Sequence, residues 1–303
     1  MNASPLLTTF LPIALGFIML GLGLSLTSAD FARVVKFPKP VLIGLVCQLV
    51  LLPLLCFLIA KGFGLAPVLA VGLMLLAASP GGTSANLYSH LAQGDVALNI
   101  TLTAVNSVVA IITMPLLVNG ALMYFMADGQ AIPLQFTKVV QVFFIVLVPV
   151  AVGMLVRKLA TRFAVLMERP MKIISALFLI ATVALALVKD WQTVLDYAPV
   201  VGMAALLFNV LSLGVGYWVP RLFRLPQRQA VAIGMEIGIH NGALAIALAL
   251  SPTLLNNPTM AIPAAIYSVL MFFTAAIFGW WVNATHAREL RIKADVPAHV
   301  SQR

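Results

Sequence analysis

Of the nine acidic residues in this 303-residue chain, one lies deep inside an apolar run: Glu236, within 226–252, where no Lys or Arg lies comparably deep to pair with it. A carboxylate taken out of water loses several kcal/mol of hydration, so it is either protonated, donating one interhelical hydrogen bond, or neutralised by a bound cation. Gln48, Asn86, Asn99 and Thr103 bring side-chain oxygens to earlier apolar runs, and Asn99 and Thr103, four apart, share one helical face. Oxygen donors around one carboxylate suit a hard monovalent cation. His240, four residues past Glu236, would complete an acid and base pair for an intramembrane enzyme. No HExxH, paired-aspartate motif, GxSxG or nucleotide-binding glycine loop accompanies them, so no enzyme is expected. The only cysteines, Cys47 and Cys56, would stand roughly 13 Å apart along a straight helix, which argues against a disulfide or a transition-metal site.

Backbone breakers surround these residues. Ser79-Pro80-Gly81-Gly82-Thr83-Ser84-Ala85-Asn86 interrupts one apolar run and Glu236-Ile237-Gly238-Ile239-His240-Asn241-Gly242 interrupts another, the first through a missing donor and two permissive glycines. Unwound backbone survives at membrane depth only where protein or a cavity satisfies it, so the two breaks should face each other. Each falls in the second of three apolar segments, within 40–124 and 197–284, and these triplets start on opposite sides of the membrane, as in the inverted repeats of secondary transporters. Helix N-termini created by the breaks would offer amides and positive dipole ends to an anion, with Thr83 and Asn241 adding polar contacts, and a carboxylate is the expected group.

Composition sets the frame for both breaks. With 62% hydrophobic and 9% charged residues and a mean hydropathy of +1.07, the chain cannot make a water-facing surface and requires the lipid bilayer. Nine apolar segments reach spanning length, which is about 20 residues: 5–26, 40–62, 66–93, 95–124, 134–157, 171–189, 197–220, 226–252 and 260–284. The first lacks a preceding Lys or Arg and is read as a retained helix rather than a signal peptide. The net charge of +9 resides in short clusters, which reads as topology and not as a nucleic-acid surface. Arg33, Lys36 and Lys39, then Arg157 to Lys172, then Arg221 to Arg228, then Arg288 to Arg303 share one side, leaving Lys61, Lys138 and Lys189 opposite. The N-terminus is therefore expected outside and the C-terminus in the cytoplasm, and no obligatory protein partner is indicated.

At these residues the chain resembles the bile acid:sodium symporter family, in particular its bacterial members. The resemblance runs through Ile18-Met19-Leu20-Gly21-Leu22-Gly23-Leu24 with Asp30-Phe31, Gln48 with Pro53, Pro80-Gly81-Gly82-Thr83 with Asn86, Gly94-Asp95-Val96-Ala97-Leu98, Pro149, Gly153, Asn209, and Glu236-Ile237-Gly238 with Asn241. It implies an all-α membrane protein of the bacterial cytoplasmic membrane, with two broken helices crossing in a core domain beside a panel domain. Relatives often have one helix more, at the start. By position the panel takes 1–30 and 133–190, the core takes 38–125 and 195–286, and 287–303 is a cytoplasmic tail.

The activity implied is Na+-coupled symport of an organic anion by alternating access, with a proton-coupled or uncoupled carrier as the alternative. A first Na+ site would use Asn86, Asn99, Thr103 and Glu236, with Ala85 where relatives often place serine. A second would use Gln48, Glu236, the carbonyls of Ile237 and Ile239, and His240, which stands where the family usually has glutamine. Imidazole nitrogen suits a hard cation less well than an amide oxygen, and His240 could instead carry a proton or be a packed neutral ring. Asn209 is counted on the substrate side. Met271 and Phe272 replace a polar pair that some relatives present to the cavity, so a bile-acid-like molecule, pantoate or another small keto or hydroxy acid is equally compatible.

Overall fold

The computed structural model describes residues 5–126, 136–167, 170–171, 173–174, 177, 191–251 and 254–295, and all regular elements among them are helical. In order they are α1 (Pro5–Ser25), α2 (Ser28–Lys36), α3 (Pro38–Val46), a π-helical turn (Cys47–Leu51), α4 (Leu52–Gly62), α5 (Pro67–Ala77), α6 (Ser84–Leu91), α7 (Val96–Phe125), α8 (Phe136–Leu159), α9 (Trp191–Leu222), α10 (Gln227–Gly238), α11 (Gly242–Leu250) and α12 (Pro258–Asp295). Helices dominate because hydrocarbon cannot bond to backbone amides and carbonyls, and a helix satisfies them internally. Among the described residues, Pro38–Gly62, Val96–Phe125, Asp196–Leu222 and Pro258–Thr285 are long and apolar enough to cross a membrane, and Gly16–Ser25 with Ser28–Lys36, bent by 60°, makes a fifth if counted as one span. The segment 171–189 lies almost wholly outside the described residues.

The runs 66–93 and 226–252 are each divided into two short helices, α5 with α6 and α10 with α11. From Leu69 to Ala77 every residue of α5 is buried, as is most of α11. A helix apolar all round belongs in the middle of a bundle. Close approaches at glycine bring neighbours against these pieces: a Cβ on Gly72 would strike the backbone of Met260 in α12, and one on Gly216 of α9 would strike Gly234 of α10. At Gly23 and Gly153, α1 and α8 meet backbone to backbone.

Two local features follow from proline. Pro53 has no N–H to give the preceding turn, and the turn just before it widens into the π form, with Leu52 N bonded to Cys47 O. That wide turn carries Gln48, buried at 2% exposure. Beside the main core, a small cluster of Leu24, Ala164 and Met171, flanked by Leu20, Val156 and Met167, packs on its own.

Candidate functional site

The two interruptions meet. Gly81 and His240 form an antiparallel bridge, Gly82 N donates to Ile239 O at 2.7 Å, and Asn241 N donates to Pro80 O at 2.8 Å. Each unwound segment therefore satisfies backbone groups that the other helix break released. Side chains complete the junction. Ser79 O accepts from Gln48 Nε2 at 2.9 Å and lies 3.2 Å from His240 Nδ1, while Gly238 O accepts from Asn209 Nδ2 at 2.8 Å and from Tyr267 OH at 2.9 Å.

Glu236 sits in the last turn of α10, fully buried. Thr103 Oγ1 donates to its Oε2 at 2.6 Å, and Asn106 Nδ2 lies 3.5 Å from Oε1. Gly81 approaches so closely that a Cβ there would overlap the carboxylate, which is why glycine is required at that position. Asn99 reaches the same helix one turn earlier, donating from Nδ2 to Ala232 O at 2.8 Å. Among the described residues, Gln48 Oε1, Asn86 Oδ1, Asn99 Oδ1 and Asn106 Oδ1 are buried without a hydrogen-bond partner. Leaving a buried acceptor unsatisfied costs about 1–3 kcal/mol each, and a cation beside the carboxylate is a guest that such oxygens could ligate. The donor set fits a hard monovalent ion.

His240 is 1% exposed, stacked on Phe208 at 5.7 Å and edge-on to Tyr267 at 5.4 Å. A carbonyl only accepts, so the ring proton belongs on Nδ1; Nε2 has no partner among the described residues. The Ile239 carbonyl is already bonded to Gly82, and Ile237 is buried against α9, near Gly216.

The expected substrate residues divide. Asn241 caps α11, its Oδ1 accepting from Leu244 N at 3.0 Å, and Thr83 stands at the N-cap of α6 with no side-chain cap bond. Asn209 is fully buried, with its amide on Gly238 O and its Oδ1 accepting from Thr274 Oγ1; both ends are used within the protein. Met271 is buried, and Phe272 stacks on Tyr88 of α6 at 6.0 Å. None of these five residues lines the small apolar cleft between α1 and the junction, walled by Met19, Leu22, Pro80, Ser107, Ile111 and Leu244 among others. Asn106 and Ser107 escaped the sequence reading, although 99, 103 and 106 follow helical spacing and signalled a polar face.

Two interrupted helices pinned together at their breaks, with a buried carboxylate at the junction and helices long and apolar enough to cross a membrane, are the frame of a multi-pass membrane protein. The family model described as the Sodium Bile acid symporter family matches residues 12–197, and the chain belongs to that family. It is 29% identical over 265 residues to an uncharacterized sodium-dependent transporter of Bacillus subtilis (strain 168), covering 87% of this chain and 79% of that protein. It is 29% identical over 282 residues to a probable chloroplastic sodium/metabolite cotransporter of Oryza sativa subsp. japonica, covering 91% of this chain and 64% of that one, just under two thirds of its length. The human ileal sodium/bile acid cotransporter is 26% identical over 299 residues, 97% of this chain and 84% of that protein. These relatives are transporters and not enzymes.

Proposed function

We propose that the chain is a secondary active transporter that couples inward movement of Na+ to symport of an organic carboxylate across the bacterial cytoplasmic membrane. The observation that carries this reading is Glu236, buried with Thr103 on one oxygen and set at a junction where amide oxygens lack partners. Glu236, Thr103, Asn99 and Asn86 hold one Na+; the ion supplies the positive charge that offsets the buried carboxylate. Gln48, His240 and the carbonyls of Ile237 and Ile239 form a weaker second position, because an imidazole replaces an oxygen donor there.

The substrate enters the cleft between α1 and the junction. Its apolar body lies along Met19, Leu22 and Ile111, and its carboxylate is drawn to the neighbouring break, where the N-terminus of α11 and the side chains of Asn241 and Thr83, each at a helix N-cap, supply donors and dipole. An amphipathic monocarboxylate suits this apolar lining. Nine crossings in an inverted repeat form a core, 38–125 and 195–286, beside a panel, 1–30 and 133–190; the separate cluster around Leu24 and Ala164 supports the panel as its own unit. Rocking of panel against core exposes the cleft to each side in turn.

Uptake of labelled monocarboxylates into proteoliposomes under an inward Na+ gradient tests the reading. Accumulation that collapses when K+ replaces Na+ is expected. Accumulation driven equally by a pH gradient without Na+ would favour proton coupling, and chemical conversion of the substrate would overturn the assignment as a carrier.

A further inference from the structure

Asn106 has no role in the site as assigned so far, yet it is 1% exposed and faces the same carboxylate as Thr103 from the next turn of α7. Its Nδ2 lies 3.5 Å from Glu236 Oε1, at the limit of a hydrogen bond. Its Oδ1 is buried with no partner among the described residues. One end of the side chain is thus weakly used and the other is left unsatisfied, an arrangement that costs free energy unless something else occupies the site. The neighbouring Ser107 lines the cleft, as does Pro80, which precedes the Gly81 that touches Glu236. Asn106 therefore faces the carboxylate and is next in the chain to a residue of the cleft wall.

We propose that Asn106 is a further ligand of the coupling cation. When no ion is bound, its amide nitrogen faces Glu236. When Na+ arrives, the carboxamide turns about χ2 so that Oδ1 faces the ion, which now stands between two groups that would otherwise repel. The turn is a rotation of one terminal group and needs no movement of α7. It restores an oxygen to a site in which Ala85, fully buried on α6, has none to give.

This inference rests on the proposed Na+ site, and its test separates the two. The thermal stability of detergent-solubilised protein is titrated with NaCl at constant ionic strength, balanced by choline chloride, for wild type, Glu236→Gln, Asn106→Leu and Asn106→Asp. Leucine has nearly the shape of asparagine and suits a membrane interior; aspartate keeps an oxygen in the same place. The expected result is a Na+ half-saturation raised on the order of tenfold in Asn106→Leu, as for one lost charge-assisted contact, with Na+ response retained in Asn106→Asp. If the amide serves only as a donor to the bare carboxylate, its loss destabilises the ion-free protein, and Na+ half-saturation in Asn106→Leu falls or stays unchanged; either result overturns the proposal. Should Asn106→Leu fail to fold, loss of the Na+ response in folded Asn106→Asp does the same. Absence of any Na+ response in wild type would instead remove the cation site itself, whereas a wild-type response lost in Glu236→Gln and unaltered in Asn106→Leu would leave the site standing without Asn106.

Discussion

At the scale of single residues, the junction depends on groups that have no spare room. Gly81 is there because the Glu236 carboxylate occupies the place a Cβ would take. Gly81→Ala should push the carboxylate away from Thr103 and raise the Na+ half-saturation at least about tenfold, equivalent to about 1.4 kcal/mol; Na+-dependent uptake by the folded variant measures it, and an unchanged value would show that the carboxylate is not a ligand. His240 stands beside Gln48 on the Ser79 carbonyl. A glutamine at 240 can donate to the same carbonyl and still offer an amide oxygen, so His240→Gln should tighten Na+ binding. Equal Na+ affinity by isothermal titration in both proteins would show that the ring only fills the space between Phe208 and Tyr267.

At the scale of elements, glycines decide how near two helices come, and therefore where functional side chains end up. Gly216 of α9 lies against Gly234 of α10 and the side chain of Ile237, next to Glu236. A methyl group there must move α10, so Gly216→Ala should cost about 1–3 kcal/mol of stability. It should also weaken the Na+ response, because α10 carries Glu236. A lowered melting temperature with intact Na+ affinity would mean that α9 yields and α10 stays in place. The π turn at Cys47–Leu51 is another such device: by widening before Pro53 it sets Gln48 beneath the Ser79 carbonyl, in keeping with the habit of π bulges to appear at functional positions.

At the scale of the molecule, the proposed cycle needs a defined orientation and a cleft that changes sides. The Lys and Arg clusters predict a cytoplasmic C-terminus, so a reporter fused after Arg303 and active only in the periplasm should stay silent; strong activity would reverse the sides. Cys47 and Cys56 are both free and buried, which makes single-cysteine labelling clean. Ile111→Cys, in the cleft wall, should react with a membrane-impermeant maleimide from one side at a rate that Na+ changes severalfold. A rate indifferent to Na+, with transport intact, would argue that this cleft does not take part in alternating access.

Much of this was legible in the sequence because it is local. Hydropathy demanded a bilayer and helices, Pro80 with Gly81 and Gly82 marked one break, and Glu236 without a cationic neighbour marked the proposed cation site, since each depends only on residue type and nearby chain. Which atoms meet was not local. Each residue turns a helix by about 100°, so small differences in rotation and approach decided that Asn106 faces Glu236, that Asn209 serves Gly238 and Thr274, and that Met271 and Phe272 lie away from the cleft. Those rotations are set by contacts between helices far apart in the chain, such as Gly81 with His240 and Gly216 with Gly234. The residue types chose the chemistry, while the close approach of distant backbones chose which residues share it.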